Sequence, residues 1–122
     1  MLREIDSVRQ RPEEGARRWF RDDEFDLIVW YAHDGDLLGF QLCYDKQGVE
    51  RALTWKTDGT FTHDRVDSGD TVFGGMKKTA MLVADGDADT EAIAERFLAA
   101  AGEIDPEIVD LVRSRVLRFP EP

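Results

Sequence analysis

The pattern of apolar and polar positions is densest between Phe25 and Tyr44, where two β-rich runs flank the pair Asp34-Gly35. An Asp-Gly pair suits a two-residue hairpin turn with both central residues at positive φ. That turn pairs His33 with Asp36, Tyr31 with Leu38, Val29 with Phe40, Leu27 with Leu42 and Phe25 with Tyr44, all on one face by the period-two rule. The opposite face carries Ala32 with Leu37, Trp30 with Gly39, Ile28 with Gln41 and Asp26 with Cys43, a mixture that is neither clean core nor clean solvent surface. Trp30 is placed to lie across Gly39 and cover its bare backbone. The hairpin therefore has two largely apolar faces and needs two covers.

The pattern continues as a second hairpin. Arg51 to Thr57 reads as a strand with Leu53 and Trp55 on one face. A three-residue loop, Thr57 to Gly59, pairs Trp55 with Phe61 and Leu53 with His63 and keeps that face apolar, which a two-residue loop does not. Upstream, Leu2, Ile5 and Val8 fit either a helical turn or a bulged strand, Arg11 to Gly15 reads as a loop, and Arg17 to Arg21 as a short strand. Val66 to Gly75 reads as a surface loop, and Lys78 to Ala84 as a strand apolar on both sides.

Helical spacing takes over at the end of the chain. Glu91 to Ala101 has Ile93, Phe97, Ala100 and Ala101 on one stripe and Gly102 as a stop. A second helix follows, with Asp105 as its cap, Pro106 at its first position, Ile108, Val112, Val116 and Phe119 on one stripe, and Pro120 at its end. These elements predict an α+β fold: an antiparallel β-meander of about five or six strands with the two C-terminal helices packed on one face, against the Leu27, Val29, Phe40 and Leu42 ladder.

Composition adds bounds. A chain of 122 residues fits a single domain able to bury a core without staples. One cysteine, no apolar run of membrane-spanning length and no apolar leader point to a cytoplasmic address. The net charge of −10, spread along the chain, disfavours nucleic acid and membrane surfaces as partners.

Several patterns touch on chemistry and fall short of it. Asp85, Asp87 and Asp89 copy the first three alternating ligands of a calcium-binding loop, but Thr90 stands where the bend needs glycine and Arg96 where a bidentate glutamate belongs. Gly69 and Gly74 have phosphate-loop spacing, yet Gly75 and Met76 precede Lys77 and a strand follows instead of a helix. Cys43, mid-strand with no histidine or helix N-terminus assigned to it, reads as a small packed side chain. No cofactor and no metal is expected. His33 sits beside a turn, whereas His63 falls on an apolar face near Trp55, with Arg65 further along the strand.

The segments Trp19-Phe20, FDLIVW at Phe25 to Trp30, GFQLCYD at Gly39 to Asp45 and ALTW at Ala52 to Trp55 resemble a small family of uncharacterised bacterial proteins. The resemblance runs nearly full length and implies one compact bacterial domain without implying an activity. Two readings follow from the residues. In the first, the chain is a non-enzymatic binding or self-assembling domain, a possible homodimer through its second sheet face around Trp30 and Gln41. In the second, a pocket near His63 and Arg65, beside Trp55, takes an anionic small molecule.

Overall fold

A computed structural model describes residues 1–5, 15–67, 72–73, 76–77, 81–84 and 88–121. Strands β1 (Arg3–Glu4), β2 (Ala16–Arg21), β3 (Asp26–Tyr31), β4 (Leu37–Tyr44), β5 (Arg51–Lys56) and β6 (Phe61–Asp67) precede a two-residue pair, β7 (Val72–Phe73) and β8 (Met76–Lys77). Strand β9 (Met81–Ala84) and helices α1 (Thr90–Ala100) and α2 (Pro106–Arg118) complete the order. The sheet runs β1-β2-β3-β4-β5-β6-β9 with every neighbouring pair antiparallel, a meander in chain order. The fold is α+β, with the very short β1 extending the sheet beyond the expected five or six strands.

Alternation divides the side chains of this sheet cleanly. Phe20, Leu27, Val29, Phe40, Leu42 and Leu53 form one buried layer with Phe25, Tyr44 and Trp55, and Ile93, Phe97, Val112 and Val116 of the helices share the same core. The Phe97 ring of α1 meets the Phe25 ring edge-on, with centroids 6.1 Å apart. Beyond the C-terminal end of α2, Phe119 packs edge-on against Phe61, 5.0 Å away. Arg18, on the same side of the sheet, bonds both Glu4 carboxylate oxygens at 2.7 and 2.8 Å and Asp105 at 2.9 Å, so one guanidinium joins β1, β2 and the start of α2.

Both hairpin tips close over three residues. In the second, Lys56 N–H donates to the Thr60 carbonyl at 2.9 Å and Gly59 takes φ 102°, giving the expected Trp55–Phe61 and Leu53–His63 pairs. The first hairpin departs from its expected tip. Ala32 N–H bonds the Asp36 carbonyl at 2.8 Å, so the loop is His33-Asp34-Gly35, with Gly35 alone at positive φ. Tyr31 then faces Leu37, not Leu38, and Leu38 is an extra, bulged residue between Leu37 and Gly39. The bulge shifts the register back by one position, so Val29–Phe40 and Leu27–Leu42 pair as expected. Its carbonyl accepts from Thr57 N–H at 2.9 Å, which ties the first tip to the second.

One further expectation changes. Asp105 occupies the N-cap position of α2 but makes no side-chain cap bond, because its carboxylate is held by Arg18. Asp89, last of the alternating acids, caps α1 by accepting from Ala92 N–H at 3.2 Å. Asp85, Asp87, the glycines of the phosphate-loop lookalike and Val8 lie outside the described residues.

Candidate functional site

The second face of the sheet follows from the same registers and forms three rows. The first row carries Arg17, Trp30, Gly39 and Lys56 across β2 to β5, and the second Trp19, Ile28, Gln41, Thr54 and Thr62 across β2 to β6. The third carries Arg21, Asp26, Cys43, Ala52 and Asp64. Both helices pack on the opposite face, and among the described residues no helix lies over these rows. Trp19, Ile28 and Trp30 all keep partial exposure here.

Several polar groups on this face are matched to their neighbours. The Lys56 ammonium sits over the Trp30 ring, 5.1 Å from its centroid, and the Arg21 guanidinium over the Trp19 ring at 5.8 Å. Asp26 accepts from Arg21 Nε at 3.1 Å, Lys46 Nζ at 3.3 Å and Trp19 Nε1 at 3.4 Å. Gln41 Nε2 donates to Thr54 Oγ1 at 3.0 Å, and its carbonyl oxygen lies 3.7 Å from Cys43 Sγ. Burial first, then the charges of Glu50 and Asp26, push the Cys43 thiol up to about 12, far from the range of a nucleophilic thiolate. Burial also raises Glu50 above the ordinary carboxylate value, with Asp26 adding to the effect.

Gly39 has φ +155°, and a Cβ built on it would stand 2.3 Å from the Trp55 carbonyl oxygen. Close approach of β4 to β5 at this point therefore requires glycine. Beside it, Trp30, Leu38, Lys56, Thr57 and Asp58 line an open hollow of about 310 Å³. The bulge exposes the Leu38 side chain at its rim to 40 %.

The five residues singled out from sequence separate into three places. Trp30 and Gln41 share the open face. Trp55 and His63 lie in the helix-covered layer, 8 % and 5 % exposed. Trp55 packs against Phe40 at 6.0 Å beneath the Arg115 guanidinium, 4.5 Å from the indole centroid. His63 shares a hydrogen bond through Nε2 with the Tyr44 hydroxyl and is flanked by Phe119 at 6.0 Å. Arg65 is exposed further along β6, across from Arg51 and Val83. None of the hollows described here is lined by His63 or Arg65.

A larger hollow of about 540 Å³ lies between the β2–β3 and β4–β5 loops, lined by Asp23, Glu24 and residues of the Asp45 to Arg51 segment. Most of its charged groups are already engaged. Arg96 of α1 bonds Glu24 and Asp45, and Lys46 donates to the Asp22 carbonyl at 2.8 Å. Among the described residues no group of three or more His, Cys, Asp or Glu side chains is placed to hold a metal ion, and no helix is long and apolar enough to cross a membrane. Sequence reasoning did not single out Trp19 and Lys56 as parts of the face; the alternation of β2 and β5 carries that signal once the registers are known.

Compared with protein-family models, curated proteins and solved structures, the chain matches none.

Proposed function

We propose that this protein is a non-enzymatic binding domain whose working surface is the open sheet face centred on Trp30, Gly39 and Gln41. The observation that carries this reading is the placement of Trp19, Ile28 and Trp30 together on the face opposite both helices, partly exposed. Contiguous apolar surface of this kind marks interaction sites more often than it stays in water. The chemistry of this face favours binding over catalysis: its thiol is held protonated, Gln41 is matched to Thr54, and the buried histidine of the other layer is enclosed by Tyr44 and Phe119. Tryptophan and arginine are also the side chains that most often anchor protein interfaces.

The test is photo-cross-linking in living cells, with a photoreactive amino acid placed at Trp30 and, as a control, at Leu98 or Leu117 on the exposed helix surface. Protein adducts are expected at Trp30 and not at the control positions. A chain that forms no adduct at Trp30, or forms the same adducts at all three sites, would refute the docking reading.

A further inference from the structure

The open face divides into a bulky half and a small half about its central strand. On β2 and β3 the three rows carry Arg17, Trp19, Arg21, Asp26, Ile28 and Trp30, whereas on β5 and β6 they carry Lys56, Thr62 and Asp64 beside Ala52 and Thr54, which are already buried within the chain. Strand β4 runs between them with only Gly39, Gln41 and Cys43 on this side. Charge divides too. The rows hold three cations, Arg17, Arg21 and Lys56, and two anions, Asp26 and Asp64, in a chain whose net charge is −10. This face has therefore shed the negative charge carried by the rest of the molecule, which is what a surface needs in order to meet another molecule of the same sign.

Resting on the docking reading above, we propose that the occupant of this face is a second copy of the chain, related by a two-fold axis running along β4 in the plane between the two sheets. Two sheets packed face to face lie about 10 Å apart, and a two-fold axis between them runs in that plane. An axis along β4 lays the bulky half of each copy on the small half of the other. Trp19 then covers the partner's Thr62, Ile28 lies over the row of the partner's already buried Thr54, and Lys56 approaches the partner's Trp30. At the margin Arg21 meets the partner's Asp64, a carboxylate with no ion-pair partner among the described residues of its own chain. The alternative in-plane axis, across the strands, sets Trp19 on the partner's Trp19 and Arg17 on the partner's Arg21, which crowds bulk on bulk and cation on cation. Shape and charge select the same axis. Five strands by three rows span at most roughly 500 Å² per copy, less the buried Cys43, Ala52 and Thr54 positions, which places the pair at or below the small end of specific interfaces and predicts a weak, reversible dimer.

Sedimentation equilibrium across the micromolar range tests the assembly, and a double-mutant cycle tests the axis. Wild type is expected to reach a dimer. Trp30→Ser, and Thr62→Arg at an exposed position that leaves the monomer core untouched, are each expected to weaken it about tenfold or more. Arg21→Gln and Asp64→Asn are each expected to weaken it about fivefold, with the double variant no weaker than the worse single one. Within one chain these two residues stand four strands, roughly 19 Å, apart, so coupling between them reports a contact between copies. Additive losses in a dimer overturn this axis. A strict monomer overturns the proposal, whatever else covers the face, while adducts of Trp30 to a different protein would leave the docking reading standing.

Discussion

Replacing Gly39 with alanine tests the close approach on which the open face is built. A Cβ at this position would lie 2.3 Å from the Trp55 carbonyl oxygen and 2.8 Å from Lys56 Cα, both backbone atoms that no side-chain rotation can move. The φ of +155° adds strain of about 1–3 kcal/mol for a residue with a side chain. Relieving the overlap means separating β4 from β5 by close to 1 Å where Thr57 N–H bonds the Leu38 carbonyl, and losing one or two such bonds costs about 1 kcal/mol each. The sum is about 2–5 kcal/mol, or a fall of roughly 8–20 °C in melting temperature for a domain of this size. Circular dichroism melts of Gly39→Ala and Gly35→Ala supply the comparison. Gly35 also has positive φ, +91°, but a Cβ there meets nothing within 4 Å, so its loss should stay near 1 kcal/mol. Equal destabilisation of the two variants would show that backbone strain alone, and not the contact between β4 and β5, makes Gly39 necessary.

Two further predictions concern titratable groups on the same side of the sheet. Because burial raises the folded-state value of Glu50 above its ordinary 4.5, the charged form opposes folding, and stability associated with this group is present at low pH and lost as pH rises through the folded value. Glu50→Gln is thus expected to raise the melting temperature at pH 7 and to lose that advantage below pH 4.5; an advantage unchanged at low pH would rule out the carboxylate as its source. Cys43, held protonated to about pH 12, should react with iodoacetamide at pH 8 far more slowly than the same thiol in urea-unfolded protein, as followed by intact mass; equal rates would contradict its burial.

Much of the sheet was legible because alternation and turn length constrain each other. In the second hairpin only one loop length kept Leu53, Trp55 and Phe61 on one face, and the structure adopts it. In the first, the body of the ladder was legible while its tip was not. An Asp-Gly pair serves a two-residue loop and also the last two positions of a three-residue loop with a bulge, and the two arrangements give the same Val29–Phe40 register. What decides between them is distant in sequence: the Leu38 carbonyl is turned toward Thr57 N–H of the neighbouring hairpin. Asp105 gives a similar lesson. Its position before Pro106 reads as a cap, yet Arg18, 87 residues away, takes its carboxylate.

Sequence alone therefore determined the main strands β2 to β6 and β9 and their antiparallel order, though not β1, β7 or β8, together with the apolar ladder and the two amphipathic helices, because period, turn chemistry and helix stops are local properties of the chain. It also placed Trp30 with Gln41 on one face of the first hairpin and Trp55 with His63 on one face of the second, since alternation settles such questions within a hairpin. The Leu27, Val29, Phe40 and Leu42 ladder was the expected helix-covered face, but which face of the second hairpin joins it is not a local property. It follows from joining Phe25 to Phe97 and Phe61 to Phe119, contacts that enclose Trp55 and His63 and leave Trp30 outside. Packing across the sheet, summed over side chains far apart in the chain, decided which aromatic residues became core and which stayed partly exposed.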